Sequence, residues 1–348
     1  MADLPLLLSS SVPSGSGIDD LAVVDVAGAV LVVCVADSTV WTWNPARDEW
    51  RKRPLAFAHA GDPLFAEYPD ADNEIDSVAA AVVDGRIVLA AGGDEQEPAF
   101  WDLDSGRLLH AVPSCGAYLA GVAAVQGPGP VRFVTATQNA DEVQVWQTPF
   151  DEPPVLLQDY SNVSKLATAW INGESLVAGV DQGVVVWDLA RPGQWLRLGT
   201  SGDAGTLKSV AWSRLDDRPV VVGGSSAGEL WVWALGAEDL RRPLNDLEDV
   251  EPLYDPIVGH EDRIVALDTI TVGGRSLAVT GSQDTTVRVW DLAERAMVGG
   301  PVVGGRLVAN NRSRVISVVT TMLQGRPVVL SSSRLHSTIR VWDLAALL

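Results

Sequence analysis

The sequence predicts an all-β fold, a seven-bladed β-propeller, and three observations carry that reading. Seven short β-rich runs end in tryptophan, at Trp43, Trp101, Trp146, Trp187, Trp233, Trp290 and Trp342, and three of them close on Val-Trp-Asp-Leu. Each run is opened by a pair of apolar residues: Ile18/Leu21, Ile75/Val78, Leu119/Val122, Val163/Leu166, Leu207/Val210, Ile264/Leu267 and Val315/Val318. In phase between them lie a turn position (Ala29, Arg86, Pro130, Glu174, Arg218, Arg275, Arg326) and a small residue (Cys34, Ala91, Thr135, Gly179, Gly223, Thr280, Ser331). A repeat of this length makes each unit one module that cannot bury its own apolar face alone.

Each unit reads as three strands and a weaker fourth. In the clearest one, Arg263 to Leu267 form the first strand, Gly273-Gly274-Arg275 turn, Leu277 to Thr280 form the second, Gln283-Asp284 turn, and Val287 to Trp290 form the third. Val and Ile suit a pleated surface, and Gly, Asp and Asn supply the turns. A fourth strand follows near Met297 to Val303. Four-stranded units repeated radially make a propeller. The phasing sets one domain over residues 1–348, with blades at about 18–57, 75–114, 119–158, 163–200, 207–245, 264–304 and 315–348. Only six residues follow Trp342, so the strand at Leu4-Pro5-Leu6-Leu7-Leu8 (4–8) is expected to complete the last blade. That pairing would remove an exposed sheet edge. No basic residue precedes those leucines and the apolar run is short, which argues against a signal peptide.

With these landmarks the chain resembles the WD-repeat (WD40) propeller family along essentially its whole length. The motif residues are Gly259-His260 before a first strand, Thr280 in the second, Asp284 in the tight turn, and Val289-Trp290-Asp291 closing the third. The resemblance implies a hydrogen-bonded tetrad of His260, Thr280, Asp284 and Trp290 inside the sixth blade. Elsewhere the pattern departs: Ala71, Asp203 and Asn311 stand in the histidine position of blades 2, 5 and 7, and Ala227 replaces the aspartate in blade 5. The resemblance also implies partner contacts at the rim around the first-strand anchors. Carried over position by position, that rim includes Asp19, Glu74, Asp76, Tyr118, Asn162, Lys208, Arg263 and Arg314.

Two stretches exceed the repeat, residues 60–76 and 238–255, and both are strongly acidic. Read from spacing, both fall between a fourth strand and the next first strand, hence on one rim. The net charge is −20, with 25 basic and 45 acidic residues. Nucleic-acid binders cluster Lys and Arg against phosphate, so this balance speaks against nucleic acid and favours basic partners. Nothing approaches the ~20 apolar residues of a membrane span. The run Asp70 to Asp76 lacks the glycine and distal glutamate of a calcium-binding hand and reads as a solvated acidic loop.

Catalytic constellations are scarce. His59, His110, His260 and His336 belong to different units, and no pair has metal-ligand spacing. There is no nucleophile elbow, phosphate loop or Cys-x-x-Cys. Cys34 and Cys115 sit in different blades and read as buried free thiols. The other tryptophans (Trp41, Trp50, Trp170, Trp195, Trp212, Trp231) read as packing residues. Composition rich in Ala, Gly and Arg suggests a high-GC bacterial source. The expectation is a cytoplasmic, monomeric, non-catalytic scaffold that needs no cofactor or metal and binds a protein or peptide at the rim. The alternative is an enzyme or small-molecule binder working in the central channel.

Overall fold

A computed structural model describes residues 4–57, 75–93, 97–112, 118–125, 127–138, 140–158, 162–200, 205–236, 238–241, 249–303, 307–308, 311–312 and 315–347. Its fold is all-β, with seven blades of a β-propeller. The chain groups into two compact units, 19–166 and 1–18 with 167–348.

The first unit holds blades 1 to 3. Blade 1 runs Asp20–Val26, Ala29–Ala36, Thr39–Asn44 and Glu49–Arg53. Blade 2 runs Ser77–Val83, Arg86–Gly92, Ala99–Asp102 and Arg107–Ala111, and blade 3 Tyr118–Val125, Arg132–Gln138, Val143–Gln147 and Val155–Gln158. Each is an antiparallel meander in chain order. Blades 1 and 2 share a core in which Val33 and Val35 meet Ile75, Leu89 and Trp101. Both faces of a middle strand are covered by neighbours, so runs such as Val32-Val33-Cys34-Val35 are buried throughout rather than alternately. Cys34 is a buried free thiol, its pKa pushed up to about 12 by that burial; Cys115 lies outside the described residues.

The second unit holds blades 4 to 7 from Ala167 onward. Blade 4 comprises Lys165–Ile171, Glu174–Val180, Val184–Asp188 and Trp195–Leu198, and blade 5 Leu207–Leu215, Arg218–Ser225, Glu229–Ala234 and Ile257–Val258. Blade 6 comprises Ile264–Val272, Arg275–Ser282 and Thr286–Asp291, with Ala296–Met297 and Val302–Val303 both pairing its third strand. Blade 7 is Val315–Leu323, Arg326–Ser333 and His336–Asp343, and its outer strand is Leu6–Ser11. Leu6 lies opposite Trp342 and Ser11 opposite Thr338. Leu4 packs with Trp342, Leu344 and Leu347, so the N-terminal segment is bound by apolar burial as well as by the ladder.

Six of the seven first hairpins turn on two residues of positive φ: Ala27-Gly28, Asp84-Gly85, Asn172-Gly173, Asp216-Asp217, Gly273-Gly274 and Gln324-Gly325. Two left-handed residues in succession match the twist of the flanking strands, which explains why the second strand starts in phase in each blade.

One boundary differs from the spacing argument. Blade 5 ends not near 245 but at Ile257–Val258, which pairs Glu229 and Leu230. The acidic stretch 238–255 therefore lies between the third and fourth strands of blade 5, whereas 60–76 follows the fourth strand of blade 1 in the sequence. Successive turns alternate ends of a blade, so 238–255 leaves blade 5 from the end opposite to the one the spacing argument gave it. The reason is physical: the fourth strand of blade 5 is two residues long and has no periodicity to read. Residues 58–74 lie outside the described residues.

Candidate functional site

The seven anchors Ile18, Ile75, Leu119, Val163, Leu207, Ile264 and Val315 are all buried. A first strand entering from a buried anchor leaves the residues beside it nearer solvent. In the first unit Asp19 and Asp76 are half-buried, their amides bonded to Val35 and Gly92 carbonyls at 2.9 and 3.0 Å, while Tyr118 and Asn162 are exposed. In the second, Lys208 is half-buried and Arg263 exposed. Glu74 and Arg314 lie outside the described residues. Each described rim residue thus flanks its own strand start, and the structure shows no ligand geometry that joins them.

The sixth blade carries a continuous buried network. His260 Nδ1 lies 2.7 Å from Asp284 Oδ2, His260 Nε2 2.7 Å from Thr280 Oγ1, and Trp290 Nε1 donates to Thr280 Oγ1 at 2.8 Å. An ionised carboxylate can only accept, so Nδ1 carries the proton and Nε2 accepts from the threonine hydroxyl. Burial holds the His260 pKa below its ordinary value against the opposing pull of Asp284. Burial would raise Asp284, but hydrogen bonds from His260 and Thr286 outweigh it and hold that carboxyl well below the usual range. Asp284 also accepts the Glu261 amide at 3.1 Å and so ties the entry loop to the turn. Gly259 is required by contact: a Cβ there would sit 2.5 Å from Trp290 Cη2.

The closing tryptophans show what replaces the network where its residues are missing. Trp146 and Trp342 donate to Thr135 and Ser331 hydroxyls, each at 2.9 Å, so a hydroxyl in the second strand suffices. Blades 1, 2 and 5 have Cys34, Ala91 and Gly223 there, and the indoles of Trp43, Trp101 and Trp233 turn to Asp48 Oδ1, the Ala56 carbonyl and the Gly199 carbonyl. Blade 4 has Gly179, and among the described residues the buried indole nitrogen of Trp187 has no partner.

The aspartate that follows the tryptophan has a second structural role. Asp102, Asp188, Asp291 and Asp343 each cap the turn after the third strand through one carboxylate oxygen. In blades 2, 6 and 7 the other oxygen faces the turn arginine of the same blade, Arg86 at 3.8 Å, Arg275 at 2.8 Å and Arg326 at 3.5 Å.

Sequence reading missed two aspartates on first strands. Asp20 accepts from the Leu21 amide and, across to the next blade, from the Val78 amide at 3.0 Å. Asp268 accepts the Thr269 amide in its own strand and, in the next blade, the amide and hydroxyl of Thr320 at 2.6 and 2.9 Å. Burial raises the pKa of both against those bonds. Hydroxyls extend the stitching: the Thr320 hydroxyl shares its one proton between Asp268 and the Thr269 carbonyl, Thr269 donates to the Trp212 carbonyl, and Trp212 Nε1 donates to the Ala167 carbonyl. An acid inside an apolar run was the available signal. Among the described residues, no group of three or more His, Cys, Asp or Glu could hold a metal ion, and no helix is long and apolar enough to cross a membrane.

No protein-family model matches the chain. Among curated proteins it is 27% identical over 176 residues to Mitochondrial division protein 1 of Kluyveromyces lactis, covering 47% of this chain and 24% of that protein. It is 25% identical over 214 residues to Cilia- and flagella-associated protein 52 of Mus musculus, covering 61% of this chain and 31% of that protein. A shorter stretch of 104 residues, 29% of this chain and 48% of the relative, is 28% identical to Histidine biosynthesis bifunctional protein HisIE of a Nostoc species. The chain thus spans less than half the length of each of these relatives. The first two are WD-repeat proteins, so the low-identity similarity and the seven-bladed fold point the same way.

Proposed function

We propose that the chain is a non-catalytic interaction scaffold whose seven blades act as one domain and present the rim beside the first-strand anchors to a protein or peptide. The observation that carries this reading is the use made of first-strand polar groups. Asp20, Asp268, Thr269 and Thr320 all form bonds between neighbouring blades, a structural use of the polar groups on these strands. Among the residues flanking the anchors, Tyr118, Asn162 and Arg263 are exposed and open to a partner. WD-repeat relatives of scaffold type support the same reading.

The overall charge of −20 favours a basic partner, and a monomeric, cytoplasmic scaffold without nucleic-acid or membrane binding is the form we propose. The test is co-purification of a tagged chain from its own organism, followed by salt titration of the recovered complex. Neutralising Asp70, Asp72, Glu74 and Asp76 should weaken binding and flatten its salt dependence, because screening shortens to ~3 Å near 1 M. An unchanged affinity and salt slope would remove the acidic rim from the proposal, and recovery of no protein partner would remove the scaffold reading.

A further inference from the structure

Two outer strands, one in each unit, share a register and differ in what lies on their free edge. Trp50 in the outer strand of blade 1 pairs opposite the closing Trp43, and Trp195 in the outer strand of blade 4 pairs opposite the closing Trp187. Arg51, Lys52 and Arg53 therefore match Leu196, Arg197 and Leu198 position for position. In blade 4 the edge is occupied. Val250 bridges Leu198 in parallel, its amide donating to the Arg197 carbonyl and its carbonyl accepting from the Gly199 amide, both at 3.0 Å. The added segment is Asp249-Val250-Glu251, acidic on both sides of the pairing residue. It fits closely: a Cβ on Gly199 would lie 2.9 Å from Asp249 Cβ.

In blade 1 the outer strand Glu49–Arg53 ends its sheet, and no described strand pairs with its outer edge. Arg53 is engaged by Thr42 and Asp104, but Arg51 and Lys52 are exposed and no described side chain pairs with them. Exposed cations on an edge strand also discourage self-association. In a chain of net charge −20, however, that edge joins the lack of a described strand partner to two exposed cations with no described counter-charge, the two features an acidic strand would use.

We infer that the outer edge of blade 1 at Glu49–Arg53 is a docking edge for an extended acidic segment of a protein partner, added as a fifth strand in the way that Asp249-Val250-Glu251 is added to blade 4. The surface is separate from the rim of the proposed function. One difference shapes the match. Pro54 stands where Gly199 does and has no N–H to donate. The docked segment must therefore shift back by two residues and accept from the Lys52 amide, which sets its acids beside Arg51 and Lys52.

The test uses the full chain and a labelled peptide with the sequence of residues 246–252, Asp-Leu-Glu-Asp-Val-Glu-Pro, followed by fluorescence anisotropy at low salt. Saturable binding is expected, weakened about tenfold or more by the double reversal Arg51→Glu, Lys52→Glu, which touches only exposed side chains. A peptide with proline at the valine position should lose binding to a similar degree, because its amide can no longer donate. Equal binding to the reversed protein, or equal binding of the proline peptide, would overturn edge addition. Absence of binding to the natural chain would also overturn it. So would binding that emerges only after Asp62, Glu67, Asp70 and Asp72 are neutralised, since the edge would then belong to the chain's own acidic stretch.

Discussion

Thr280→Val tests the buried network of blade 6 most directly, because valine keeps the shape and removes the single hydroxyl that two buried groups share. Trp290 Nε1 and His260 Nε2 lie 2.8 and 2.7 Å from that oxygen, and the indole and imidazole are both buried. Each group left without a partner costs about 1 to 3 kcal/mol, so the substitution should cost about 2 to 5 kcal/mol. Ser331→Ala in blade 7 supplies the comparison. There only the Trp342 indole loses its partner, and the expected cost is about 1 to 3 kcal/mol.

The measurement is the urea midpoint of each purified variant at neutral pH, with Thr280→Ser as the control that keeps the hydroxyl. Thr280→Val should fall furthest, Ser331→Ala about half as far, and Thr280→Ser least. If Thr280→Val and Thr280→Ser unfold at the same midpoint, the hydroxyl is not what the histidine and tryptophan depend on. If Thr280→Val costs no more than Ser331→Ala, the histidine contact contributes nothing and the network reduces to a single bond.

Gly179→Ser should supply Trp187 with the acceptor it lacks and raise stability by about 1 kcal/mol in the same urea assay; a loss would show that the slot beside that indole has no room for a hydroxyl. Stability should fall as pH drops below about 6.5, because His260 titrates lower when folded, so the unfolded chain binds the extra proton first and gains by it. His260→Gln should flatten this limb in melting curves taken between pH 5 and 8, and an identical slope in the variant would remove His260 as its source. Asp20 and Asp268 act with the opposite sign: their folded pKa is raised, so their ionisation costs stability as pH rises above the ordinary carboxylate range. Deleting residues 4 to 11 should bare the edge of His336–Asp343 and produce aggregation by light scattering, whereas a monomer with an unchanged melt would show that the N-terminal strand is dispensable.

The parts of this fold that could be read in advance are those where a side chain's own chemistry names its place. Ile18, Ile264 and Val315 recur at one fixed distance before Cys34, Thr280 and Ser331 because blade geometry fixes the length of the first two strands, and two-residue turns leave that length no slack. His260, Thr280, Asp284 and Trp290 are legible for a similar reason, since each supplies one complementary donor or acceptor at a set spacing. Asp20 and Asp268 were not legible as clamps because their cross-blade partners include the amides of Val78 and Thr320, and every non-proline residue has an amide. The fourth strand of blade 5 was hidden because two residues carry no period.

The same distinction accounts for how the repeats diverge. A closing indole needs one acceptor, and the chain provides a hydroxyl in blades 3, 6 and 7, a carboxylate in blade 1 and loop carbonyls in blades 2 and 5. Because a carbonyl from a neighbouring loop serves as well as a threonine, selection for the bond places little constraint on the second-strand residue, and Cys34, Ala91 and Gly223 can stand there. The bond in blade 5 binds the chain in another way. Its acceptor is the Gly199 carbonyl, and the amide of that same residue holds Val250 on the edge of blade 4. Substituting Gly199 would press a Cβ against Asp249, displacing the acidic segment and disturbing the Trp233 acceptor together. Blade 5 has thus given up its local acceptor for one that ties its core to the outer edge of blade 4.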